Sequence, residues 1–123
     1  MSALELGKQL VALCNAGKDH EAVDKLYAAT IVSIEGQGSD EMPARMEGID
    51  AIRGKHTWWY DNHEIHSSQA TGPFCGHRDD QFIVKFDMDL TPKGGARMQM
   101  SEVALYTVKD GKIAQEEFLY LMP

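Results

Sequence analysis

The sequence predicts an α+β fold, with three helices laid across the concave side of one curved antiparallel sheet, the whole enclosing a cone. Three observations predict it. First, the apolar spacing is helical up to about residue 29 and again from Gly48 to about residue 62, with one β-branched run, Ile-Val-Ser-Ile-Glu at 31–35, between them. Second, from Glu64 onward the period becomes two, enough for four long strands in meander. Third, two apolar-rich runs near the end flank Asp110-Gly111. That pair is a strong hairpin signal, because a two-residue type I′ turn needs φ > 0 at both central positions. Helices on one side of a meander make an α+β layer, and a strongly curved sheet under helices leaves a pocket for a small apolar ligand.

Taken in order, Ser2-Ala3-Leu4-Glu5 is a capping-box pattern, with Leu6, Leu10 and Leu13 following at helical spacing and Gly17 suited to the helix end. Asp19 is placed to cap a second helix, lined by Val23, Leu26 and Tyr27 and ending near Ala29. After the strand at 31–35, glycines 36 and 38 break the chain. Residues 41–47, which contain Pro43, suit a loop or a short edge strand. Gly48 opens a third helix whose Ile49, Ile52, His56 and Trp59 form one inward stripe. A strand follows over 65–71, with a bend or bulge at Gly72-Pro73. The next strand, 81–91, has the clearest alternation: Phe82, Val84, Phe86, Met88 and Leu90 share one face. In the hairpin, 97–122, the more apolar face of the first strand carries Met98, Met100, Glu102, Ala104, Tyr106 and Val108. A carboxylate there must be paired, neutralised or functional. The parity of the last strand is open: Glu116, Phe118 and Tyr120 share one face, and Ile113, Leu119 and Leu121 the other.

At 123 residues the chain reads as a single domain, 1–123, long enough for a core and a pocket. Its net charge of −7 and lack of a basic cluster argue against nucleic acid and anionic membranes. No long apolar run follows Met1, so no signal peptide is expected, and Cys14 and Cys75 read as reduced thiols of a cytoplasmic protein. His63-x-x-His66 with Glu64 straddles a helix end and a strand start and lacks the spacing of a zinc helix, so no metal is expected.

Several pieces spread over the chain carry a resemblance: Asn15-Ala16-Gly17-Lys18-Asp19, Leu26-Tyr27-Ala28, Val32-Ser33-Ile34-Glu35, Gly48-Ile49-Asp50-Ala51-Ile52-Arg53, and the run from Tyr106 through Asp110-Gly111 to Ile113. In order and spacing they resemble the SnoaL-like domains of the nuclear transport factor 2-like superfamily, which has a cystatin-like fold. The resemblance implies a cone-shaped barrel, a homodimer packed through the sheet, and an apolar cavity. Enzymes of the superfamily, ketosteroid isomerase and polyketide cyclases among them, transfer protons there without a cofactor; other members only bind or scaffold. By that resemblance the isomerase's general base falls on Glu35 and its pocket tyrosine of the third helix on His56. Its oxyanion tyrosine falls on Leu10, so that donor is missing. Its second acid falls near Ala104, two residues from Glu102, which could replace it.

Glu35 and Glu102 are therefore the candidate acid–base pair, since two carboxylates in a low-dielectric cavity cannot both ionise cheaply. His56 beside either would be a proton shuttle; otherwise it is a satisfied core histidine. Glu102 read as structural would bond His56, His66 or the Trp59 indole. Trp58, Trp59, Phe86, Tyr106, Phe118, Tyr120 and His66 are candidate ligand contacts. The expected partner is a small hydrophobic or carbonyl-containing molecule, turned over by isomerase, cyclase or dehydratase chemistry or bound without turnover; the remaining alternative is a dimeric interaction module with a filled interior.

Overall fold

The structure is a computed structural model and describes residues 1–120; Leu121 lies outside the described residues. Helix α1 (Ala3–Asn15) begins where the capping pattern places it, with Ser2 Oγ accepting from the Glu5 amide at 3.2 Å. Gly17, at φ +73°, closes the turn after it. Helix α2 (Asp19–Leu26) departs from expectation at both ends. Lys18 is the N-cap residue and Asp19 does not cap; its carboxylate accepts instead from Tyr60 Oη at 2.6 Å. The helix also stops at Leu26, because β1 (Tyr27–Ile34) starts at once. Tyr27 is buried and paired with Ile113 across the sheet, and that pairing outweighs the helix preference of Ala28 and Ala29.

The short edge strand β2 (Arg45–Glu47) precedes α3 (Ile49–Asn62), which Gly48 enters at φ +92°. Then come β3 (His63–Phe74), β4 (Gln81–Pro92), β5 (Met98–Lys109) and β6 (Lys112–Leu119). The register of β3 shifts between Thr71 and Phe74, at Gly72-Pro73. Asp110 and Gly111 take φ of 53° and 74°, as the hairpin turn requires.

The six strands form one sheet in the order β2-β1-β6-β5-β4-β3. It is mixed, not wholly antiparallel: β1 and β6 run parallel, because β1 is paired with the last strand of the meander rather than with a sequence neighbour. Helix α3 packs against both β1 and β3, although three strands stand between those two in the sheet. The sheet must therefore curl around the helix layer, which is the α+β cone.

Register assigns the inner face. Phe82, Tyr106, Glu116 and Ser33 lie side by side across β4, β5, β6 and β1. The next inward row is Val84, Ala104 and Phe118, with Glu35 following Ser33 by two residues. The row after that holds Ala70, Phe86 and Glu102, and Tyr120 continues it beyond β6. A register shift between Thr107 and Val108 lets Ile113 and Glu116 both turn inward, which settles the parity that the sequence leaves open. The rows nearest the turn are buried with Leu6, Leu26 and Ile52; the rows away from it border a hollow.

Candidate active site

The hollow is a cavity of about 880 Å³, which excludes an interior filled by its own side chains. Trp58 and Trp59 of α3 line the cavity, as do Phe86 and Phe118 of the sheet and Tyr120 just beyond β6. Trp59 stacks on His63, ring centroids 3.9 Å apart. Tyr106 lines the closed end and is 2 % exposed. His66 does not reach the cavity; it is exposed on β3, with Nε2 2.8 Å from Thr91 Oγ1. The histidine of β3 at the cavity wall is His63, three residues earlier.

Glu35 and Glu102 are both on the cavity wall, as expected. They differ in what holds them. Glu35 is paired with Lys55 of α3, Oε1 to Nζ 2.7 Å, their side chains 22 % and 17 % exposed. Glu102 sits in the row of Phe86 and has no hydrogen-bonded or ion-paired partner among the described residues, so it is not tied to His56, His66 or Trp59. Burial, with the charge of Glu35 added, pushes its carboxyl up from 4.5 to about 7.

Lys55 Nζ also donates to Ser33 Oγ at 2.8 Å and lies 4.7 Å from the centre of the Phe118 ring. Ser33 in turn donates to Glu116 Oε1 at 2.9 Å, and Tyr27 Oη donates to Glu116 Oε2. Glu116 is 1 % exposed and Ser33 fully buried, so this is a satisfied polar chain inside the core. It was hidden from the sequence by the unsettled parity of β6. Lys55 could have been found: it stands three residues from Ile52 and four from Trp59, on the same helical stripe.

His56 also lines the cavity, but it is not hydrogen-bonded to Glu35 or Glu102. The charges acting on it are Glu116, Asp19, Lys55 and His20, and burial holds its pKa below the ordinary imidazole value, so it is neutral at neutral pH. Its Nδ1 is buried, 3.6 Å from Asp19 Oδ2 and without a hydrogen bond. All three candidates thus line one cavity, with the charge of Glu35 acting on Glu102 and the Nδ1 of His56 turned toward Asp19. Cys14, also on the wall, has its thiol pushed up to about 12 by burial and is no nucleophile at neutral pH. Both cysteines are free.

Residues 1–120 match the family described as SnoaL-like domain. No curated protein sequence matches the chain. Among solved structures, a protein from Mesorhizobium loti described as a candidate SnoaL-like polyketide cyclase, with carbohydrate phosphatase as a bracketed addition, is 40% identical. The match covers 98% of this chain and 100% of that one, with a TM-score of 0.89. A Xanthomonas campestris protein of unknown function with a cystatin-like fold is 14% identical over 97% of this chain and 90% of its own, TM-score 0.76. A candidate isomerase from Bacillus subtilis is 19% identical over 94% and 84%, TM-score 0.70. The last two are likenesses of fold alone.

Proposed function

This chain belongs to the SnoaL-like domain family, and from that premise we propose that its cavity binds a small, partly apolar carbonyl compound and moves a proton on it without a cofactor. One observation carries the reading: Glu102 stands unpartnered on an aromatic wall with its carboxyl at about 7. A group so poised is populated in both protonation states near neutral pH, which is what general acid–base catalysis requires. The ion-paired Glu35 supplies the neighbouring charge that opposes ionisation of Glu102. The polyketide-cyclase description of the Mesorhizobium loti relative agrees with such chemistry. Deuterium uptake beside the carbonyl of small cyclic ketones, followed by proton NMR in heavy water, tests it. Wild type should exchange well above buffer, and Glu102→Gln should lose about a hundredfold or more. Ketones that bind and exchange no faster than in buffer would leave a binding module without turnover.

The outer face of the sheet supports a second element of the proposal, a homodimer. Phe74, Ile83 and Leu105 are neighbours there, as are Val103 and Leu119, and Phe74 and Leu119 are 54% and 47% exposed. A second copy covering this face would remove an apolar patch from water.

A further inference from the structure

Lys55 is the one lysine or arginine on the cavity wall among the described residues. An ammonium has three protons, and the structure places two oxygens against it. One N–H faces the ion-paired carboxylate of Glu35, 2.7 Å away. The second goes to Ser33 Oγ, and its direction is fixed from behind: Ser33 has a single hydroxyl proton, which goes to Glu116, so its oxygen can only accept from Lys55. The third N–H is left on the side of the Phe118 ring, which is cavity wall. A lone aromatic face is a weak partner for an ammonium compared with an oxygen that carries charge.

Other donors line the cavity, the neutral form of Glu102 among them, and two of the aromatic ones are not offered to a ligand. Tyr27 donates to Glu116. Trp58 Nε1 is unpaired but buried, out of reach of a ligand unless the ring moves. The tyrosine that would serve as oxyanion donor by resemblance is Leu10 here.

We propose that Lys55 receives the ligand's oxygen, and that the cavity therefore takes an enolisable ketone or β-dicarbonyl, held through the oxygen that becomes the enolate. This rests on the acid–base reading above. In the step, a cavity carboxylate removes the proton beside the carbonyl. The C–H electron pair becomes the C=C bond, the carbonyl π pair moves onto oxygen, and the free N–H of Lys55 meets that oxygen. Return of the proton to carbon restores the carbonyl. The positive charge is aimed at where negative charge develops, held by groups that need not reorganise. The Glu116–Ser33 pair is then a positioning device for Lys55.

The test uses two probes of like size and opposite character, para-nitrophenol and para-nitrotoluene, bound to the intact protein. The buffer is set about one pH unit below the Glu102 midpoint, so that this carboxyl is neutral. The variant is Glu35→Gln with Lys55→Met, which removes both charges together and orphans neither; its thermal unfolding confirms that it is folded. Wild type should bind the phenol as its yellow phenolate, raising the phenolate fraction over that in buffer, and the double variant should bind that form about tenfold or more weakly. Nitrotoluene should bind both proteins alike. If nitrotoluene binds but wild type shows no preference for phenolate, or the variant keeps it, the role of Lys55 is overturned and the cavity reading stands. If neither probe binds wild type, both readings fall.

Discussion

Glu102 has a consequence for stability whose sign is fixed. Its carboxyl titrates near 4.5 when unfolded and at about 7 when folded. Between those values the folded chain holds a proton that the unfolded chain has released, so stability falls as pH rises through the window. At about 1.4 kcal/mol per pH unit the full penalty, reached above the folded midpoint, is on the order of 3 kcal/mol. Glu102→Gln keeps the neutral form at every pH. Urea unfolding should find it equal to wild type below the ordinary glutamate range and more stable above neutrality; a difference that does not change with pH would contradict this. The same position shows what was legible in sequence at this scale. A lone Glu on an apolar face stands out, as does Glu35, whereas the Ser33–Glu116–Tyr27 chain needs a register that no local pattern contains. Ser33→Ala should leave Glu116 without one partner and loosen Lys55, at a cost of about 1–3 kcal/mol by urea unfolding. An unchanged midpoint would mean that the chain is not structural.

Between elements, packing overrules local preference in two places. Gly7 lies inside α1, where alanine normally favours a helix by about 1 kcal/mol. A Cβ there would sit 2.6 Å from Pro73 Cβ of β3 and 3.1 Å from the Phe82 ring, closer than side chains approach. Gly7→Ala should therefore destabilise, by about 1–3 kcal/mol, and a more stable variant would show that α1 does not lie this close to the sheet. Asn15, at the end of the same helix, holds both the amide and the carbonyl of Ala70, at 2.7 and 2.9 Å. These contacts join sequence positions 55 apart, which is why periodicity gives α1 and β3 but not their contact. Likewise the alternation of β4 and the Asp110-Gly111 turn could be read directly, while the early start of β1 and its parallel pairing depend on β6, at the far end of the chain.

For the whole molecule, the hollow interior and the apolar outer face make separate claims. If the outer face joins two copies, sedimentation should give a dimer for wild type and a monomer for Leu119→Lys, with cavity ligands still bound; a wild-type monomer at working concentration would remove the dimer and leave the cavity untouched. The order of helices and strands, and the cone they form, were readable because each element carries its own period. The polarity of the cavity was readable only in part, since Lys55 and Glu116 acquire their meaning from partners on other strands.

Everything chemical proposed for this protein depends on one carboxyl being neutral about half the time at neutral pH. Selective carboxyl-carbon NMR, with Glu102→Gln to assign the resonance, measures that directly. A Glu102 midpoint near 7 is the expected result; a midpoint in the ordinary glutamate range, about 4.3, would contradict the account.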